Sequence, residues 1–235
     1  MKLWLTATRF NMARLMPLFA VSAGLTSIVS AVLAPHLLAD ARGPQFMLLF
    51  YPHFIFSVVS VVALTQFAGD LEFYALFHLS QPISRAEYIA SWLAVSVWFP
   101  QLMLFLSSAI PVYTLDPRAI GSVLHGIVLR VLEDLLAASA AAFSALLGKR
   151  TLTALVALAT LLLAPYLTIV LMYLLCTLLL RSQPGQLAER MYSVLFPATC
   201  QMMGAKNPAS PAYTLAIALL LNTLLIYLSR RVEVS

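Results

Sequence analysis

Six apolar runs, most of them as long as a membrane-crossing helix or longer, fill most of this 235-residue chain. They cover residues 15–38, 45–68, 88–110, 123–147, 151–180 and 211–228. A hydrocarbon core of about 30 Å is crossed by roughly 20 apolar residues in helical form. In lipid a backbone must satisfy its own N–H and C=O groups, which leaves only helices and closed barrels. These runs are of helix length and lack the alternation of barrel strands. The expected fold class is therefore all-α, a single polytopic transmembrane domain over residues 1–235 with six transmembrane helices. Composition agrees: 62% of residues are hydrophobic and 10% charged, where soluble domains average about 45–50% and 25%.

The margins of the runs carry the next information. Residues 1–14 place Leu3, Ala7 and Phe10 on one helical stripe and Lys2, Thr6 and Arg9 on another, with Trp4 at headgroup depth. That pattern predicts an amphipathic helix lying in the interface. A secretory signal is the competing reading, but residues 15–38 outrun an apolar core of about 7–15 residues. Pro100 interrupts the third run, and Gly148 is placed to close the fourth as a C-cap ahead of Lys149 and Arg150. The fifth run would measure about 45 Å as one helix, so it must tilt, project, or bend at Pro165. Residues 181–210 form the longest connector and are expected on the extracellular face.

Six spans place both termini on one side, and the basic residues choose which. Lys2, Arg9, Arg14, Arg85, Lys149, Arg150, Arg230 and Arg231 share the terminal side, eight against the five of Arg42, Arg118, Arg181, Arg190 and Lys206. The excess predicts a multi-pass protein of the plasma membrane with both termini cytoplasmic. Orientation and anionic membrane lipids thus account for the net charge of +5, with no need for nucleic acid as a partner. Cys176 and Cys200 are expected to remain reduced and to pack as small hydrophobes.

No catalytic constellation emerges. The chain lacks HExxH, GxSxG and a Walker A loop, and His36, His53, His78 and His125 fall in or near different spans. Neither a metal site nor an enzymatic activity is expected, and no cofactor is assigned to the chain. The unusual polar group is Arg130, Glu133 and Asp134 in the fourth run. Their spacings of three and four bring both carboxylates beside the guanidinium on one helical face. Charges within a span are functional candidates by default. They can line a pathway, meet a subunit interface, or neutralise one another near the outer rim. Ala137 to Ala142 follow with only small side chains, which permits close helix packing.

Residues 67–92, FAGDLEFYALFHLSQPISRAEYIASW, are a polar interruption between the second and third runs. A helix here would put Asp70, Tyr74, His78 and Gln81 on one stripe and Phe73, Leu76 and Phe77 on the next. Pro82 would end it, and Ser84 with Glu87 three residues on is a capping box for the following helix. The run Leu79-Ser80-Gln81-Pro82-Ile83-Ser84-Arg85-Ala86-Glu87-Tyr88-Ile89 resembles the LPxSRxEY signature of ABC-2 type exporter permeases. In that family the signature also lies between the second and third of six spans. Gly69-Asp70-Leu71-Glu72 is similar to the family's Gly-Thr-Leu-Glu element, with Asp70 in place of Thr. The gap from Glu72 to Pro82 is longer than usual, and Trp92 stands where Lys is common.

The resemblance implies the membrane permease subunit of an ATP-driven exporter. In that reading residues 69–87 are a cytoplasmic coupling helix that meets a separate ABC ATPase subunit through Glu72, His78, Pro82, Ser84, Arg85 and Glu87. ATP and magnesium belong to that partner, and a second permease subunit completes the pathway as a homo- or heterodimer. The alternatives are a non-transporting structural or accessory subunit of a membrane complex and, third, an integral membrane enzyme.

Overall fold

The computed structural model describes residues 2–37, 43–72, 84–147, 149–174, 186–202 and 210–231, and no strand occurs among them. The first helix, α1 (Lys2–Leu33), runs into a short 3-10 turn, Ala34–His36. Helix α2 is Gly43–Glu72; α3 (Arg85–Leu93) and α4 (Phe99–Leu115) are joined through a π turn, Ala94–Trp98. Helix α5 is Ile120–Ala145. Helices α6 (Arg150–Leu158) and α7 (Ala164–Leu174) are joined through a second π turn, Ala159–Leu163. Two short helices, α8 (Gln186–Leu195) and α9 (Pro197–Met202), precede the last, α10 (Pro211–Arg231).

Among the described residues, five stretches are long and apolar enough to cross a membrane: Ala7–His36, Pro44–Leu71, Arg85–Leu115, Arg150–Thr168 and Pro211–Ser229. The chain is a multi-pass helical membrane protein. The remaining long helix, α5, has 26 residues but carries Arg130, Glu133 and Asp134 at its middle, which sets it apart from the other five.

The boundary expected after residue 14 does not exist. Residues 2–14 and the first span form one unbroken helix that continues past Arg14 and through Pro17. No breaker separates the two stretches, and tertiary contacts hold the early turns: Asn11 Nδ2 donates to Ser91 Oγ at 3.2 Å, buried between α1 and α3. Helix α2 likewise runs on through Gly69, Asp70 and Leu71 to Glu72, so the first residues of the expected coupling segment extend a span. Gly148, the expected C-cap, lies outside the described residues.

Both π turns end two residues before a proline, Pro100 or Pro165. Proline offers no N–H to the carbonyl four residues back, and its ring crowds that carbonyl. The chain shifts register just ahead of it: the Phe99 amide bonds to Ala94 O and the Ala164 amide to Ala159 O, each five residues back. In the fifth run, expected to tilt, project or bend at Pro165, the local change is the second π turn. Pro17, Pro52 and Pro111 lie inside helices without such a turn, so proline permits the π turn and does not dictate it.

One apolar core runs along α1 to α6 and α10, with Phe19, Phe56, Phe67, Trp92, Leu135 and Leu225 within it. A second cluster, including Leu37, Leu48, Val112 and Ile127, closes one end. Ala138, Ala141, Ala142 and Ala145 are fully buried on one side of α5, and α10 meets the same helix with Asn222 Nδ2 donating to Ser139 Oγ at 2.9 Å. The opposite pattern holds outside. Val21, Ile28 and Val32 of α1 and Leu163, Leu167 and Leu171 beyond α6 are all more than half exposed. A surface of that kind suits a lipid solvent, in which apolar exposure has no hydrophobic cost.

Candidate functional site

Two groups of the residues singled out in the sequence lie in described parts of the chain. The first is the start of α3. Ser84 is the N-cap, in extended conformation, and its side chain accepts from the Glu87 amide at 3.2 Å. The Glu87 carboxylate reaches back to the Ser84 amide at 3.0 Å and accepts from Ser84 Oγ at 2.7 Å. The two orphan amides at this helix start are thereby satisfied. Arg85 is the first residue of α3 and Glu72 the last of α2; His78 and Pro82 lie outside the described residues.

The flanks of that motif are tied together. Asp70 Oδ2 accepts from Arg14 Nη1 at 2.6 Å and from the Tyr88 hydroxyl at 3.4 Å, which joins the end of α2 to α1 and α3. Trp92 is fully buried, stacked on Phe67 with ring centroids 5.8 Å apart, and the Arg14 guanidinium lies 5.9 Å from its ring. Asp70 and Trp92, the two residues at which the sequence departs from the signature it resembles, are therefore partners of the same arginine. Arg150, opening α6, lies directly over Gly69, where any Cβ would collide with its guanidinium.

The second group is deeper. Arg130, Glu133 and Asp134 are only 1–2% exposed and lie near the midpoint of α5. They are neither at its rim nor on its outer surface. Arg130 Nη1 donates to Glu133 Oε1 at 2.8 Å. Asp134 Oδ1 lies 2.8 Å from Nδ1 of His53 on α2, and the same ring nitrogen is 3.3 Å from Ser57 Oγ. Glu133 also takes two bonds from α9: Thr199 Oγ1 donates to Oε1 at 2.6 Å and the Thr199 amide to Oε2 at 2.9 Å.

These contacts give the charges a structural use. The first amides of any helix lack partners within it. In α9 the Cys200 amide makes the first helical bond, to Phe196 O, so Phe196 stands at the cap position with no side-chain oxygen to offer. Glu133, from a different helix, supplies the missing acceptor to Thr199, and Arg130 balances its charge. A helix start buried in protein needs its polar groups satisfied in this way.

The sequence reading missed Thr199 and the pairing of His53. The signal for Thr199 was present in Phe196-Pro197: proline at a first helical position announces a start, and phenylalanine cannot cap it. Nothing in the sequence announced that His53, 81 positions from Asp134, would meet it. Tyr192 is a further addition, its hydroxyl donating to Pro165 O at 2.8 Å. Burial raises the Tyr192 pKa above its ordinary value, and the Glu133 carboxylate pushes the same way. The hydroxyl therefore remains a donor throughout the neutral range.

Among the described residues, no three histidine, cysteine or acidic side chains are grouped so as to hold a metal ion. Comparison with protein-family models, with curated proteins and with solved structures finds no match.

Proposed function

We propose that this chain is the permease subunit of an ABC-2 type exporter, with six spans, α5 among them, and both termini in the cytoplasm. The observation that carries the proposal is the sequence Pro82-Ile83-Ser84-Arg85-Ala86-Glu87-Tyr88, which leads from the connector after the second membrane-crossing stretch into the first turn of the third, and whose Ser84–Glu87 capping box opens α3. A separate cytoplasmic ATPase would dock on residues 69–87, and a second permease subunit would complete the pathway. The mechanical setting suits that role. Asp70 ties α2 to α1 and α3, and Arg150 brings α6 to the same place. A load applied between residues 72 and 84 would reach four helices together, whereas a loosely held loop would dissipate it.

Affinity purification from native membranes tests the reading. A cytoplasmic ATPase with a Walker A loop should accompany the wild-type chain and be lost from Arg85→Ala or Glu72→Ala. Recovery of the intact chain without an ATP-hydrolysing partner would favour the accessory-subunit role instead.

A further inference from the structure

Helices α8 and α9 carry an apolar cluster of their own. Phe196 packs with Tyr192 and Cys200, apart from the two clusters of the bundle. Hydrogen bonds at three places among the described residues join this unit to the rest: Tyr192 to Pro165 O at 2.8 Å, Thr214 to Val194 O at 2.6 Å, and the Thr199 pair on Glu133. The last differs in kind. It is fully buried, its acceptor is a carboxylate, and hydrogen bonds to charged groups are roughly twice as strong as neutral ones. It also serves a helix start that has no cap in its own sequence.

We propose that α8 and α9 form a discrete cap on the bundle and that Glu133, paired with Arg130, is the latch that holds it. Releasing Thr199 frees the first turn of α9 and uncovers Cys200 while the bundle helices keep their packing. The contact of α5 with α10 is independent of the latch, because Ser139, not Glu133, receives Asn222. The latch stands whether or not the chain moves a substrate.

The Cys200 thiol, 9% exposed, is the reporter. In lipid nanodiscs, the full chain with Cys176→Ser has Cys200 as its only thiol, and its reaction with a water-soluble maleimide is followed in time. Thr199→Val and Glu133→Gln should each raise the rate roughly tenfold to a hundredfold, the effect on an opening equilibrium of losing a bond to a charged group. Helical content and monodispersity should not change. Thr199→Val leaves the Arg130–Glu133 pair in place, so it decides the matter if Glu133→Gln fails to fold. Ser139→Ala, elsewhere on α5, should leave the rate as it is. Unchanged rates in the latch variants, or an equal rise in Ser139→Ala, would overturn the proposal, as would wild-type labelling as fast as that of the denatured chain.

Discussion

Glu133 accepts from Arg130 on its own helix and from Thr199 on α9, and both partners are buried with it. Removing one member of such a group leaves an uncompensated charge in a medium that solvates charge poorly. Arg130→Met should therefore destabilise the folded protein by about 3–5 kcal/mol. The loss would be read from thermal unfolding in nanodiscs, with a change below about 1 kcal/mol counting against a buried, mutually dependent cluster. This group was half legible in the sequence. Spacings of three and four within one helix bring Arg130, Glu133 and Asp134 together whatever the tertiary structure. Their partners His53 and Thr199 come from other helices, and only packing decides which face of α2 or which turn of α9 meets α5.

At the scale of the element, helix starts were the most readable feature. Ser84 and Glu87 form the capping box that their spacing predicted, because that motif is closed within four residues. Ser84→Ala should cost about 1 kcal/mol, and the cost should be local. Hydrogen exchange would speed up in the first turn of α3, while Tyr88 and Trp92, held in the core, would keep the rest protected. Uniformly faster exchange along α3 and α4 would show that the cap supports more than its own turn. Helix ends were less readable. The polar face of residues 2–14 suggested a separate surface helix, yet α1 is continuous, since Asn11 and Arg14 find partners on α3 and α2. Amphipathic pattern reports which face is polar. It does not report whether water, a headgroup or a neighbouring helix will meet that face.

For the molecule as a whole, apolar run length was enough to establish a helical membrane protein, and the runs overlap the long helices among the described residues. The charges that set α5 apart were legible as well; their burial and their partners on other helices were not. Helix α5 has a consequence for how the chain enters the bilayer in the first place. At the centre of an isolated span, an arginine or aspartate costs about 2.5–3.5 kcal/mol on insertion scales, and α5 has one of each at its middle together with Glu133. Its first partner, His53, belongs to a helix made earlier; its second, Thr199, belongs to one made later. In a membrane-insertion assay, α5 alone should partition poorly. It should improve when α1 to α4 precede it, and become stable only once the chain extends beyond α9. Equal insertion of α5 in isolation and in the full chain would refute that order. On the proposed six-span reading, residues 120–145 would be committed to the membrane late, after the chain on both sides of them has arrived.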